Sequence, residues 1–151
     1  MSEAPLQAEL EFALASARHA GQRVMALRSS GRWEDKMLAD IGDQAADGYL
    51  RGMLEGRYPE DGVLSEETKD TADRLSCPRA WIIDPLDGTR EYSQLREDWA
   101  VHVALTIDHH PALAVVGLPA QGRTIWGIAT PGAERSGLIG PGTLHRGDEA
   151  G

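Results

Sequence analysis

The sequence predicts an α+β fold, with two amino-terminal helices packed on a largely antiparallel sheet. Three observations lead there. Apolar residues recur at helical spacing in two amino-terminal stretches, first Leu6, Leu10, Leu14, Ala17, Gly21 and Val24, then Ala46, Tyr49, Leu50, Met53 and Leu54. Further on the period becomes two, with Val101, Val103, Leu105 and Ile107 on one face of a strand. The strand-like runs that follow are joined by short turns, which suit antiparallel neighbours. Helices followed by such strands make a two-layer α+β arrangement.

Each element has its own signal. Ser2-Glu3-Ala4-Pro5 reads as a helix start, and Ser29-Ser30-Gly31 ends that helix. A polar connector with Trp33 leads to a second helix expected from about Asp43 to Arg57, closed by Pro59. Both apolar stripes read as core, covering a sheet. Val63-Leu64 is a short strand running into Ser65-Glu66-Glu67, and Trp81-Ile82-Ile83 is a buried strand running into Asp84. Strands are then expected over Ala100–Ile107, Leu113–Leu118 and Thr124–Ala129. Asp108-His109-His110-Pro111 and Pro119-Ala120-Gln121-Gly122 supply the turns between them. The remainder, Thr130 to Gly151, is Gly-rich without an apolar period and is expected to be linker or disordered. The organisation is therefore one domain over 1–129 and a tail over 130–151, with no internal repeat.

Composition narrows the functions open to the chain. At 151 residues with 41% hydrophobic content, one ordinary domain with a core is expected. The net charge of −9 opposes binding to a nucleic-acid backbone, which needs basic patches. It does not oppose a phosphorylated substrate, because bound metal ions can neutralise acids locally. The sole cysteine, Cys77, can form no internal disulfide and reads as a small spacer before Pro78. No basic-plus-apolar leader and no run approaching a membrane span are seen, so a cytoplasmic location is the default expectation.

The chemistry is concentrated in Asp84-Pro85-Leu86-Asp87-Gly88-Thr89. Two carboxylates stand three residues apart, with a Pro fixing φ between them, a Gly permitting a sharp turn and a Thr hydroxyl beyond. An acidic turn after a strand is ordinarily just a solvated turn. Against that stands a second strand end, at Ser65-Glu66-Glu67, that also carries acids. Two strands delivering carboxylates suggest a site for hard cations, which prefer oxygen ligands. The spacing is not that of an EF-hand loop, and no phosphate-binding Gly-x-x-x-x-Gly-Lys-Ser/Thr is present. His109 and His110 read as turn residues, and His102 alternates with the apolar face of its strand, exposed or in a polar contact. No His/Cys cluster suggests zinc, and no Gly-x-Ser-x-Gly elbow suggests a serine nucleophile. Carboxylates, a hydroxyl and metal are left to carry the chemistry.

Three segments carry a family resemblance: Val63-Leu64-Ser65-Glu66-Glu67, Trp81 through Tyr92, and Trp99-Ala100-Val101-His102-Val103-Ala104-Leu105. The chain resembles the inositol-monophosphatase superfamily of metal-dependent sugar and nucleotide phosphatases, over roughly Leu6 to Ala129. Arg90-Glu91-Tyr92 after the Asp-Gly-Thr is similar to the bisphosphate nucleotidases of the CysQ type, whereas inositol-phosphate members continue with Thr-Asn-Phe. The resemblance implies the amino-terminal domain of the sugar-phosphatase fold. It implies that Glu66, Asp84 and the carbonyl of Leu86 hold a first Mg²⁺, and that Asp84 bridges to a second Mg²⁺ also bound by Asp87. By the same resemblance Thr89 and Asp43 align the attacking water, Gly88 and Thr89 meet the phosphate at the start of a short helix, and Glu67 is an outer-shell residue. At Asp43 the match departs from the family's Thr-x-Ala-Asp, because Asp40 stands at the Thr position.

Family members also have a second α/β domain whose Trp-Asp-x-Ala motif completes the second metal site. Here Trp126 is followed by Gly127, and no such motif occurs. The resemblance thus covers an amino-terminal half. It implies a Mg²⁺-dependent phosphatase removing the 3′-phosphate of adenosine 3′,5′-bisphosphate, with this chain inactive or weakly active and a homodimer as a further expectation. Inositol monophosphatase or fructose-1,6-bisphosphatase activity is the alternative enzyme reading, and an oligomerising non-catalytic fragment is the alternative outside catalysis.

Overall fold

The computed structural model describes residues 5–65 and 77–140. Two long helices, α1 (Gln7–Ser29) and α2 (Asp35–Arg57), lie on one face of a six-stranded sheet. The strands are β1 (Gly62–Leu64), β2 (Arg79–Asp87), β3 (Ala100–Ile107), β4 (His110–Leu118), β5 (Arg123–Ile128) and β6 (Arg135–Ile139). They stand side by side in sequence order. β1 runs parallel to β2, and every later neighbour is antiparallel. A short helix α3 (Thr89–Ser93) follows β2, and a 3₁₀ turn (Pro119–Gln121) joins β4 to β5. The expected α+β architecture is therefore present.

Strand alternation makes the core. Trp81 and Ile83 on β2, Val101, Val103 and Leu105 on β3, Leu113 and Val115 on β4, and Trp126 and Ile128 on β5 all turn toward the helices and are buried. Leu10, Ala13, Ala17 and Ala20 of α1 meet them, with Leu50 and Leu54 of α2. Burying one such aliphatic or aromatic side chain contributes about 1.5–3 kcal/mol. A second cluster of Val24, Leu38, Ala46, Leu86, Tyr92 and Trp99 fills the end of the layer where α3 sits.

At the far end, Arg79 ties three elements together. It donates to Glu9 at 3.0 Å and to Asp61 at 3.2 Å, and Trp81 Nε1 donates to Asp61 at 2.9 Å. Burial alone would lower the Arg79 pKa, but the hydrogen bonds and charges of Glu9 and Asp61 outweigh it and raise it.

Among the described residues, no helix lies on the opposite face of the sheet. Cross-strand partners run in a row from Asp84 through His102, Val116 and Ile125 to Leu138. A second row runs Ile82, Ala104, Ala114, Gly127, Ser136. Ile82, Ile125 and Leu138 are exposed, at 37%, 48% and 49%. Small residues between them leave an open apolar trough bordered by Ile82, Ala104, Ala114, Gly127 and Ser136.

Four expectations need correcting or bounding. α2 begins at Asp35 rather than near Asp43. Leu38 and the bare backbone of Gly42 are its buried positions there, too sparse an apolar pattern to signal a helix, and a Lys36–Asp40 pair at 2.8 Å adds support on the solvent side. β2 does not stop at Ile83 but continues through the acidic motif to Asp87, because a bulge accommodates Pro85. The tail is not wholly linker: Arg135–Ile139 pairs with β5 as the edge strand β6. Only Leu138 and Ile139 are large apolar residues in it, so the backbone ladder and not side-chain pattern defines the strand. The expected helix start at Ser2-Glu3-Ala4 lies outside the described residues, and α1 begins at Gln7 with Glu9 in its first turn. Among the described residues, no helix is long and apolar enough to cross a membrane.

Candidate active site

In a regular strand, residues three apart face opposite sides. Asp84 and Asp87 nevertheless share the outer face, and the bulge is the reason. Asp84 is opposite His102 and Asp87 opposite Ala100, so three steps on β2 span two on β3. Pro85 and Leu86 both turn inward and are buried, and Asp87 comes back out to the exposed side. Asp84 is half-buried, and its Oδ1 is shielded from solvent. The inward Leu86 side chain belongs to the second core cluster, which pins the bulge to the helices.

Gly88 then reverses the chain in the left-handed conformation, φ 92°. A Cβ there would stand 3.2 Å from Glu91 Oε1 and 3.2 Å from Trp99 Cβ, so both the turn and the space call for glycine. Thr89 opens α3, as the expected short helix requires. Tyr92 anchors α3 from below. It is fully buried, its hydroxyl donates to the carbonyl of Val24 at 2.5 Å, and burial pushes its pKa up to about 12 against the opposing charge of Arg28. Arg28, in the last turn of α1, donates to the carbonyls of Tyr92 at 3.1 Å and Arg96 at 2.7 Å and lies over the rings of Tyr92 and Trp99.

α2 connects the two acidic segments. Gly42 lies against the Tyr92 ring, which brings the adjacent, half-buried Asp43 to the α3 end of the molecule. Asp47 and Arg51 follow at helical spacing along α2. Arg51 Nε donates to Asp47 at 2.9 Å, and its Nη2 donates to the hydroxyl of Ser65 at 2.5 Å. Ser65 is buried and directly follows β1. Because β1 is parallel to β2, with Leu64 opposite Ile82, Ser65 emerges beside the approach to Asp84.

Of the residues expected at a site, Asp43, Asp84, Leu86, Asp87, Gly88 and Thr89 come to the α3 end of the molecule; Glu66 and Glu67 lie outside the described residues. Among the described residues, no group of three or more His, Cys, Asp or Glu is arranged to hold a metal ion by side chains alone. The described donors are the carboxylates of Asp84 and Asp87 and the bulge carbonyl of Leu86. All are hard oxygens, which fits Mg²⁺ and not a thiophilic metal.

His102, expected to be exposed or in a polar contact, makes one, but sequence reasoning did not place it at the site. It stands opposite Asp84 on β3, and its Nε2 lies 3.0 Å from Asp87 Oδ2. Its alternation with buried Val101 and Val103 was the available signal. His109 lies in the turn before β4, and His110 is exposed at the start of that strand.

The profile of the inositol monophosphatase family matches residues 6–147. The chain belongs to the inositol monophosphatase family. Among its relatives is a 3′-phosphoadenosine 5′-phosphate phosphatase of Mycobacterium bovis, 45% identical over 116 residues, which covers 72% of this chain and 43% of the relative. The protein of the same name from Mycobacterium leprae is 41% identical over 148 residues, 87% of this chain and 55% of the relative. The crystal structure of CysQ from Bacteroides thetaiotaomicron superposes with a TM-score of 0.76 at 25% identity, over 94% of this chain and 53% of that one. Inositol monophosphatase II of Staphylococcus aureus shares the fold at a TM-score of 0.78 and 23% identity, over 91% of this chain and 50% of that one. The chain spans about half the length of these relatives. The expected resemblance to this family and to its CysQ-type members is thereby borne out.

Proposed function

We propose that the chain provides the cation-binding half of a Mg²⁺-dependent phosphatase that removes the 3′-phosphate from adenosine 3′,5′-bisphosphate. The observation that carries this reading is the bulge in β2, which turns Asp84 and Asp87 to one face beside the start of α3. Arg90-Glu91-Tyr92 and the names of the mycobacterial relatives support the nucleotide over inositol phosphate or fructose bisphosphate.

In this reading Glu66, Asp84 and the Leu86 carbonyl would hold one Mg²⁺, and Asp84 and Asp87 would hold a second. When bound, Mg²⁺ supplies charge to the phosphoryl oxygens and lowers the pKa of a water. The chain's own residues do the rest. Thr89 and Asp43 orient the attacking water, and Glu66 shares in that activation. Backbone N–H groups at Gly88 and Thr89 face the phosphate, aided by the open first turn of α3. Glu67 steadies the ligands from the second layer. The 151-residue chain alone is inactive or weakly active, and the apolar sheet face that the described residues leave open favours a homodimer, because exposed apolar patches drive association.

The test is phosphate release from adenosine 3′,5′-bisphosphate, inositol 1-phosphate and fructose 1,6-bisphosphate. It uses the chain itself and a version continued by the carboxy-terminal half of a mycobacterial relative. Mg²⁺-dependent turnover fastest on the nucleotide by the extended protein is expected; faster turnover of inositol phosphate would sink the assignment.

A further inference from the structure

We propose that His102 is a positioning residue for Asp87. It donates from Nε2–H to Oδ2 and so turns the other carboxylate oxygen, Oδ1, toward the cation. The inference rests on the cation reading above and assigns a task to a residue which that reading leaves idle. The geometry has three parts. Asp87 is exposed and ends β2 just past the bulge, so little packs around its side chain. His102 is the last residue of β3 in regular register with β2 before the bulge, opposite Asp84, and pairs with Val116 on its other side, so both neighbouring strands hold its backbone. The contact between them, 3.0 Å, crosses from the rigid strand to the weakly constrained acid. A carboxylate with one oxygen held by a donor is ordered before the metal arrives and loses less freedom on binding it.

The imidazole can make this bond whether neutral or charged, provided that the proton sits on Nε2. With Nε2 donating to Asp87, a neutral ring leaves Nδ1 without a proton. No titration step is required. His102 touches no reacting atom in this scheme; it acts through Asp87.

The experiment uses the 151-residue chain. Mn²⁺ is titrated in while the free-ion paramagnetic resonance signal is followed, for the wild type, His102→Leu, His102→Gln and Asp84→Asn. Imidazole ¹⁵N spectra of the wild type are recorded with and without Mg²⁺, the His102 ring being assigned from its loss in His102→Gln. His102→Leu is expected to weaken Mn²⁺ binding about tenfold, the usual effect of losing an outer-layer partner. His102→Gln, whose amide N–H reaches about as far as Nε2, is expected to recover most of that loss. The His102 ring is expected to be protonated on Nε2 and to shift on Mg²⁺ addition.

Wild-type affinity in His102→Leu beside a loss in Asp84→Asn would overturn the inference and leave the cation reading intact. Equal weakening in His102→Leu and His102→Gln would overturn it too, by showing a shape effect and no hydrogen bond. If the Leu variant does not fold, an Nε2 signal unmoved by saturating Mg²⁺ in the wild type overturns it alone. Absence of binding by the wild type, or binding undiminished in Asp84→Asn, would remove the cation reading and this inference with it.

Discussion

Gly42 on α2 and Tyr92 on α3 approach so closely that a Cβ at position 42 would stand 2.7 Å from Cε2 of the ring. The ring cannot move aside, because its hydroxyl is bonded to Val24 and it is stacked edge-on against Trp99 at 5.1 Å. Gly42→Ala should therefore destabilise the fold by about 1–3 kcal/mol despite the better helix propensity of alanine. A Cβ added at Gly48, on the same helix, would meet nothing within 4 Å, and Gly48→Ala should stabilise by roughly 0.5–1 kcal/mol. Urea denaturation of the two variants measures the contrast; equal effects would mean that α2 can shift away from α3.

Tyr92 gives the fold an alkaline limit. Its ordinary pKa of 10.0 is raised to about 12 by burial, so the folded state holds the phenol proton more tightly than the unfolded state. Stability from this source is complete below about pH 10 and is lost as pH rises toward 12, on the order of 2 kcal/mol in all. Tyr92→Phe should cost about 1 kcal/mol at neutral pH, for the lost bond to Val24, and flatten the alkaline loss. Denaturation midpoints between pH 9 and 12 for both proteins provide the check.

Asp84 is the acid whose change should be felt most. Asp84→Asn keeps the shape and removes a charge that both proposed cations share. In a protein extended to full length, phosphate release should fall by orders of magnitude, and more than for Glu67→Gln, because the chemistry rests on the metal. Steady-state rates of the two variants compare them. Equal and mild losses would mean that the motif only shapes the turn.

The sheet face that the described residues leave open should govern association. Ile125 and Leu138 are cross-strand partners on β5 and β6, and about half of each is exposed. Changing both to Lys should shift the chain toward monomer in sedimentation velocity with little change in melting temperature, since neither contributes to the buried clusters. An unaltered distribution would place self-association elsewhere.

How much of this was legible before the structure differs by element. The apolar stripes of α1 and the later part of α2, and the alternation along β3, read directly, because burial imposes a period that side chains must obey; β4 and β5 were legible as runs between short turns. The first turns of α2 did not, because only Leu38 and a glycine mark the buried side there. β6 did not, because an edge strand is held by backbone bonds that leave little trace in composition. At the site, the acids and the Gly-Thr turn announced themselves by type. What joined them did not. That Asp84 and Asp87 share a face depends on a bulge, that α2 touches α3 depends on a missing side chain, and that His102 reaches Asp87 depends on the register between two strands.

Trp99 is placed to make the molecule report on itself. Its Cβ abuts the turn at Gly88, its ring packs on Tyr92, and the Arg28 guanidinium lies 5.3 Å from the ring centre. Trp81 and Trp126 belong to the other core cluster, under the middle of the sheet. Indole emission depends on nearby charge and on small displacements of its neighbours. An anion seated at the start of α3 would thus alter the light from one tryptophan and leave the signal of two others as a steady background. Changing Trp33, which packs at the margin of the same cluster, to Phe would remove the remaining ambiguity. The turn that would receive a phosphate then becomes observable in real time in unlabelled protein, with no turnover required.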